Sequence, residues 1–213
     1  MTLKAKICGV STPEAARAAV DGAAGWLGFV FFPKSPRNLS VEAAARLAEP
    51  VRNRAKVVAL LVDPSDAQVD EVARGFAPDL IQLHGAESPA RTREIAARAG
   101  CGIIKALPVA DAADLARATD YEPLVEHLMF DAKPPKDAAL PGGAGRAFDW
   151  SLMAGRSFRR PWFLAGGLDP WNVAEAAQVS GAPLVDVSSG VERGPGLKDP
   201  ALIAAFLDAV RRA

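Results

Sequence analysis

Short apolar runs alternate with longer Ala- and Arg-rich stretches from one end of the chain to the other. The runs are Lys4–Gly9, Trp26–Phe32, Val57–Asp63, Leu80–Gly85, Gly102–Val109, His127–Lys133, Arg160–Gly167 and Leu184–Gly190. Each is near-continuously apolar at its centre, the pattern of strands in a parallel sheet with both faces covered. The stretches between them carry helix-start signals. Thr12-Pro13, Ser88-Pro89, Asp169-Pro170 and Asp199-Pro200 each set a capping oxygen before a proline. That oxygen accepts from backbone N–H groups left bare at a helix start, and proline has no N–H to lose there. Ser11 with Glu14 is an alternative capping box for the first helix. Apolar residues then recur at helical spacing, as at Val69, Val72, Ala73 and Phe76.

Eight strands alternating with helices fit either a closed barrel or an open doubly wound sheet. The open sheet more often carries a nucleotide fingerprint after its first strand. Here that strand ends in Cys8-Gly9-Val10-Ser11, without G-x-G-x-x-G. The pattern predicts the α/β class and a single (β/α)8 TIM barrel spanning residues 1–213. The one low-complexity stretch, Lys133 to Arg146, falls inside a βα loop.

Charge narrows the range of partners. Twenty-five basic residues balance 25 acidic ones, so no net-charge pull draws the chain to nucleic acid or an anionic membrane. Arg91, Arg93 and Arg98 share a predicted helix with Glu94 and follow Glu87, which leaves no basic patch. The N-terminus lacks an apolar h-region, and no run approaches the ~18 apolar residues of a membrane span. Cys8 and Cys101 make no disulfide framework. A cytoplasmic protein is expected, either monomer or homodimer, that binds neither nucleic acid nor membrane.

In such barrels the working face lies at the C-terminal strand ends. The seventh run closes in Gly166-Gly167-Leu168-Asp169-Pro170 and the eighth in Asp186-Val187-Ser188-Ser189-Gly190. These adjacent loops are the usual phosphate site of a barrel, because glycines let N–H groups approach an anion closely; otherwise they are merely tight turns. Cys8 reads either as a small buried hydrophobe or as an activated thiol. Cys101 lies at the opposite barrel end and reads as structural. Asp131, after Leu128-Met129-Phe130, is either a loop cap or an acid aimed into the mouth. Strands one and six face each other across a small barrel, which suits proton removal at one atom and delivery at another. Arg37, after Lys34-Ser35-Pro36, has a fork suited to a carboxylate or phosphate, or is simply solvated. His84 is positional or substrate-lining, and His127 is expected on the surface of the non-catalytic face. Neither H-x-x-x-H nor C-x-x-C occurs, so no metal site is expected.

In series, these segments resemble the phosphoribosylanthranilate isomerase family. They are Lys6-Ile7-Cys8-Gly9, Lys34-Ser35-Pro36-Arg37, Gln82-Leu83-His84-Gly85 and Phe130-Asp131. Gly142-Gly143-Ala144-Gly145 leading to Phe148-Asp149-Trp150, Ala165-Gly166-Gly167-Leu168, Ser188-Ser189-Gly190-Val191-Glu192 and Pro195-Gly196-Leu197-Lys198-Asp199 complete the order. The resemblance implies an Amadori rearrangement of a small phosphorylated substrate, without metal or cofactor. It makes Asp131 the general acid that opens the ribose ring and Cys8 the base that removes the C2′ proton. It sets Arg37 on the anthranilate carboxylate, Gln82 among the substrate-binding residues and Asp186 on a substrate hydroxyl. Gly143, Gly166, Gly167, Ser188, Ser189 and Gly190 hold the phosphate on that reading. Ala144 and Arg146 stand where the family has threonine and lysine. Rival barrels fit less well. A histidine-pathway isomerase would pair aspartates on strands one and five, where this chain has Cys8, Lys105 and Pro108. A non-catalytic sugar-phosphate binder needs neither Cys8 nor Asp131.

Overall fold

The apolar runs pair in sequence order and close on themselves. The computed structural model of the chain describes residues 2–133 and 147–213. Strands β1 (Lys4–Cys8), β2 (Trp26–Val30), β3 (Lys56–Leu61), β4 (Leu80–Leu83), β5 (Gly102–Val109), β6 (His127–Ala132), β7 (Trp162–Leu164) and β8 (Leu184–Val187) are parallel, and β8 pairs back onto β1. The chain is therefore a TIM barrel and not an open sheet. Helices α1 (Pro13–Asp21), α2 (Val41–Ala48), α3 (Asp66–Gly75), α4 (Pro89–Ala99), α5 (Ala118–Tyr121), α6 (Val173–Ser180) and α7 (Pro200–Arg212) make up the outer layer among the described residues. A small antiparallel hairpin, β9 (Glu192–Gly194) with β10 (Leu197–Lys198), stands in the loop after β8. No helix of the described residues is long and apolar enough to cross a membrane.

Two cores explain why the runs are apolar on both faces. Alternate strand residues such as Ala5, Ile7, Leu27, Val57, Ile81, Leu128 and Val185 pack outward against the helices. Their neighbours Trp26, Val58, Leu80, Ile104, Ala106, Met129, Phe163, Ala165 and Leu184 fill the barrel interior. Because side chains alternate along a strand, Lys6 and Cys8, flanked by the outward-facing Ala5 and Ile7, must point inward. Lys105 instead shares its face with Ile103 and Leu107, alternates with the interior Ile104 and Ala106, and so faces the helices.

Most of the expected helix starts are present. Thr12, Ser88 and Asp199 accept from the N–H groups of Ala15, Arg91 and Ala201, while Ser40 and Ser65 cap α2 and α3. Thr12, and not Ser11, therefore caps α1. Asp169-Pro170 does not start a helix directly. The Asp169 carboxylate takes the N–H groups of Trp171 and Asn172 at 2.8 and 2.9 Å, which closes a turn, and α6 begins only at Val173. Strands seven and eight are shorter than the apolar pattern predicts. Gly166 and Gly167 have φ of +87° and +66°, a left-handed backbone that cannot continue a ladder, and pairing stops at Leu164. Beyond Val187 the chain turns through residues 189–191.

His127 departs from the surface position expected of it. Its ring is half-buried, 5.7 Å from the Trp26 ring centroid and 5.4 Å from that of Phe163, and burial holds its pKa below the ordinary histidine range. This aromatic group plugs the N-terminal barrel end. Cys101, half-buried before β5, is a free thiol pushed up to about 11 by burial.

Candidate active site

The C-terminal strand ends carry two groups of polar side chains. The first gathers on β1, β2 and β8. Lys6 and Asp186 are register partners, and the fully buried Lys6 ammonium donates to Asp186 Oδ1 at 2.8 Å. Cys8, 4% exposed, is the register partner of Gly28. A methyl group on Gly28 would lie 2.9 Å from Cys8 Sγ and 3.0 Å from Lys6 Nζ, so glycine alone leaves room for thiol and ammonium together. Burial pushes the Cys8 thiol above its ordinary pKa, Lys6 pulls it back, and Asp186 adds to the rise. Burial also works against the Lys6 charge, yet Asp186 and Cys8 outweigh it and hold that ammonium above its ordinary value.

Loops after β2 and β8 close over this group. Arg37 is buried, and its Nε and Nη2 donate to both oxygens of Glu192 at 2.7 and 2.8 Å. It is therefore neither solvated nor fully free. Nη1 keeps no partner among the described residues. Lys198 donates to Glu192 at 2.5 Å and to the Ser188 carbonyl at 2.9 Å, while the Ser188 hydroxyl donates to the Cys8 carbonyl. Burial alone would raise the Glu192 carboxyl, but the Arg37 fork and Lys198 outweigh it and hold the group below the usual carboxylate range.

The loops after β7 and β8 interlock backbone to backbone. A Cβ on Gly190 would fall 1.9 Å from the Leu168 carbonyl oxygen. The N–H groups of Gly166 and Gly167 meet no acceptor among the described residues, and these glycines, with Ser188, Ser189 and Gly190, are half-buried. Adjacent free backbone donors of this kind can hold an anion.

The second group lies on β4 and β6. Asp131, 9% exposed, accepts the Ala132 N–H with Oδ1, and its Oδ2 lies 3.1 Å from His84 Nε2. The Gln82 amide nitrogen lies 2.9 Å from His84 Nδ1. With that amide donating, the ring proton belongs on Nε2 and points at Asp131. Gln82 itself is fully buried beneath the histidine, with Oε1 unpartnered among the described residues, so it reaches the mouth through His84. Gly166 makes space here too: a Cβ would sit 2.7 Å from Asp131 Oδ1. A cavity of about 360 Å³ opens beside this group, lined among others by Asp63, His84, Pro108, Arg117 and Asp131. The buried Lys105–Glu87 pair, at 2.6 Å, braces the loop that carries His84, with Glu87 accepting from the N–H groups of Asp63 and Gly85.

The structure thus brings Cys8, Arg37, Asp186, Ser188, Ser189 and Gly190 to one side of the mouth. Gln82, His84 and Asp131 lie on the other, with Gly166 and Gly167 between. Gly143 lies outside the described residues. Lys6, Gly28, Glu192, Lys198 and Arg117 were not assigned roles from sequence. Lys6 had a usable signal, since it stands two residues before Cys8 and shares its face. Among the described residues no cluster of three His, Cys, Asp or Glu side chains is placed to hold a metal ion.

Residues 5–209 match the family model of N-(5′-phosphoribosyl)anthranilate (PRA) isomerase. The chain is 65% identical over 210 residues to the N-(5′-phosphoribosyl)anthranilate isomerase of Caulobacter vibrioides, covering 98% of this chain and 96% of that one. Its fold is similar to the crystal structure of phosphoribosyl anthranilate isomerase from Thermotoga maritima, with a TM-score of 0.88, 36% identity and full coverage of both chains. It is equally similar in coverage, at a TM-score of 0.85 and 33% identity, to a phosphoribosyl anthranilate isomerase solved in complex with reduced 1-(o-carboxyphenylamino)-1-deoxyribulose 5-phosphate.

Proposed function

The chain belongs to the N-(5′-phosphoribosyl)anthranilate isomerase family and isomerises that substrate in tryptophan biosynthesis, and from this premise we propose that Cys8 and Asp131 perform the proton transfers. The observation that carries the reading is one thiol and one carboxyl, both inward-facing and nearly buried, at the ends of β1 and β6. The Asp131 carboxyl protonates the ribose ring oxygen. The C1′–O bond breaks as the nitrogen lone pair forms the C1′=N bond of a cationic imine. The Cys8 thiolate then takes the C2′ proton, whose electron pair flows into the imine. The resulting enolamine becomes the ketone when C1′ gains a proton and the C2′ hydroxyl loses one, so both enzyme groups end as they began.

The remaining residues grip the ends of the substrate. Arg37, anchored through Nε and Nη2, offers Nη1 to the anthranilate carboxylate. Gly166, Gly167, Ser188, Ser189 and Gly190, with Gly143, hold the phosphate, an assignment supported by the free N–H groups of Gly166 and Gly167. Asp186 offers its second oxygen to a sugar hydroxyl, and Gln82 acts by fixing the His84 tautomer. On this reading the chain works as one domain in the cytoplasm, where thiols such as Cys8 stay reduced.

No step of this scheme needs a metal or cofactor, because the protonated imine is itself the electron sink. Enzyme exhaustively treated with a chelator is therefore expected to convert phosphoribosylanthranilate at an undiminished rate, followed as loss of the anthranilate fluorescence. A rate that falls and returns with added divalent metal would contradict the scheme.

The phosphate assignment predicts the behaviour of Gly190→Ala. The added methyl collides with the Leu168 carbonyl, an overpacking that costs about 1–3 kcal/mol. A lower Tm is expected, together with loss of the Tm increase that inorganic phosphate gives the parent protein. A variant protected by phosphate as well as the parent would move the anion site elsewhere.

A further inference from the structure

We propose that Lys6, anchored by Asp186, is the positioning residue that stabilises the anionic form of the Cys8 sulfur and holds it aimed into the barrel mouth. The inference rests on the reading of Cys8 as the base and deepens it.

A fully buried ammonium is costly, and an ion pair that served packing alone could be replaced by apolar groups with little loss. This ammonium has a second neighbour besides its carboxylate: sulfur and nitrogen converge on the space left by the missing side chain of Gly28. The surrounding charges point the same way. Lys6, Arg37 and Lys198 are buried cations, while the facing carboxylates are Asp186 and Glu192. Among the described residues, three positive groups against two negative ones leave one charge unbalanced in the low-dielectric interior. A thiolate at Cys8 balances it. Among the described residues, the other groups around Cys8 are the Ser188 hydroxyl on its carbonyl and the Arg37 side chain packed over Gly9. His84 and Asp131 stand on the far side of the mouth. Against the upward push of burial on the thiol, Lys6 is the largest opposing influence and exceeds the upward push of Asp186.

The test uses the full chain carrying Cys101→Ser, so that Cys8 is the one thiol left. Its titration is followed by the ultraviolet absorbance of the thiolate against a Cys8→Ser reference, alongside the pH profile of kcat/KM. Lys6→Met is expected to move the thiolate titration upward by roughly one to three pH units. The rising limb of the rate profile should move with it, and Lys6→Arg should retain most of the parent behaviour. Since Lys6→Met strands the Asp186 carboxylate, Lys6→Met/Asp186→Asn is measured in parallel. It removes both charges, and the titration should still move up. An unmoved thiolate titration in a folded Lys6→Met or double variant overturns the proposal. A titration that moves while the rate profile stays put upholds the hold of Lys6 on the thiol and refutes Cys8 as the base.

Discussion

Cys8→Ser is expected to lower kcat by about 10²–10⁴-fold, the range for removing a positioned proton-transfer group, with KM little changed. Serine preserves the position. Its side chain leaves β1 on the inward face, opposite Gly28, and is smaller than the thiol it replaces. What changes is acidity. A thiol titrates near pH 8.5 in isolation, and Lys6 opposes the upward push of burial on Cys8, so its anion stays within reach of the reaction. A hydroxyl lies too far above that range for Lys6 to ionise it. The grips on phosphate and carboxylate come from Arg37 and from the loops after β7 and β8, so affinity should survive. Stability should change little, because the site is not emptied. The control is Cys101→Ser, expected to keep full activity, since that residue sits at the other barrel end and its thiol is pushed up to about 11. The measurement is initial rate at saturating phosphoribosylanthranilate. A folded Cys8→Ser enzyme with near-parental kcat would return Cys8 to the role of a small buried hydrophobe.

The barrel was legible because each strand is covered on both faces, which writes it as an apolar run between capped helices. The same property hid part of the site. In Lys4-Ala5-Lys6-Ile7-Cys8 the two lysines look alike as letters, yet Lys4 is exposed and Lys6 is fully buried. Their spacing from Cys8 hints at the difference, and the partner strand β8, supplying Asp186 from 180 positions away, makes it. Arg37 shows the same limit. Its fork suggested an acceptor, but Glu192, 155 positions on, takes two of its nitrogens. Strand ends were over-extended at β7 for a different reason. Gly166 and Gly167 continue the apolar composition, while their positive φ angles end the ladder and leave those N–H groups without an acceptor among the described residues. The place of Cys8 and Asp131 at inward-facing strand ends is legible because strand-end position and alternation are local properties. The contacts that tune them are not.

Asp131→Asn is the second large effect expected, again about 10²–10⁴-fold in kcat. The asparagine has nearly the same shape and fits beside Gly166, where a Cβ would already press on Oδ1. It has no proton to transfer to the ribose ring oxygen, so ring opening must rely on water. The local hydrogen bonds add to the loss. Oδ1 accepts from Ala132 N–H, so the amide oxygen takes that place and the amide NH₂ turns to His84 Nε2. With Gln82 donating to Nδ1, Nε2 carries the ring proton, and two donors face each other. His84 must then shift or exchange its proton, which loosens the wall of the 360 Å³ cavity that both residues line. KM should therefore rise modestly while kcat collapses. Because acid and base serve one connected sequence of proton transfers, the Cys8→Ser/Asp131→Asn double variant should be little worse than the poorer single one. An Asp131→Asn enzyme within tenfold of the parent, or a double variant whose losses multiply, would assign ring opening to another group on the mouth.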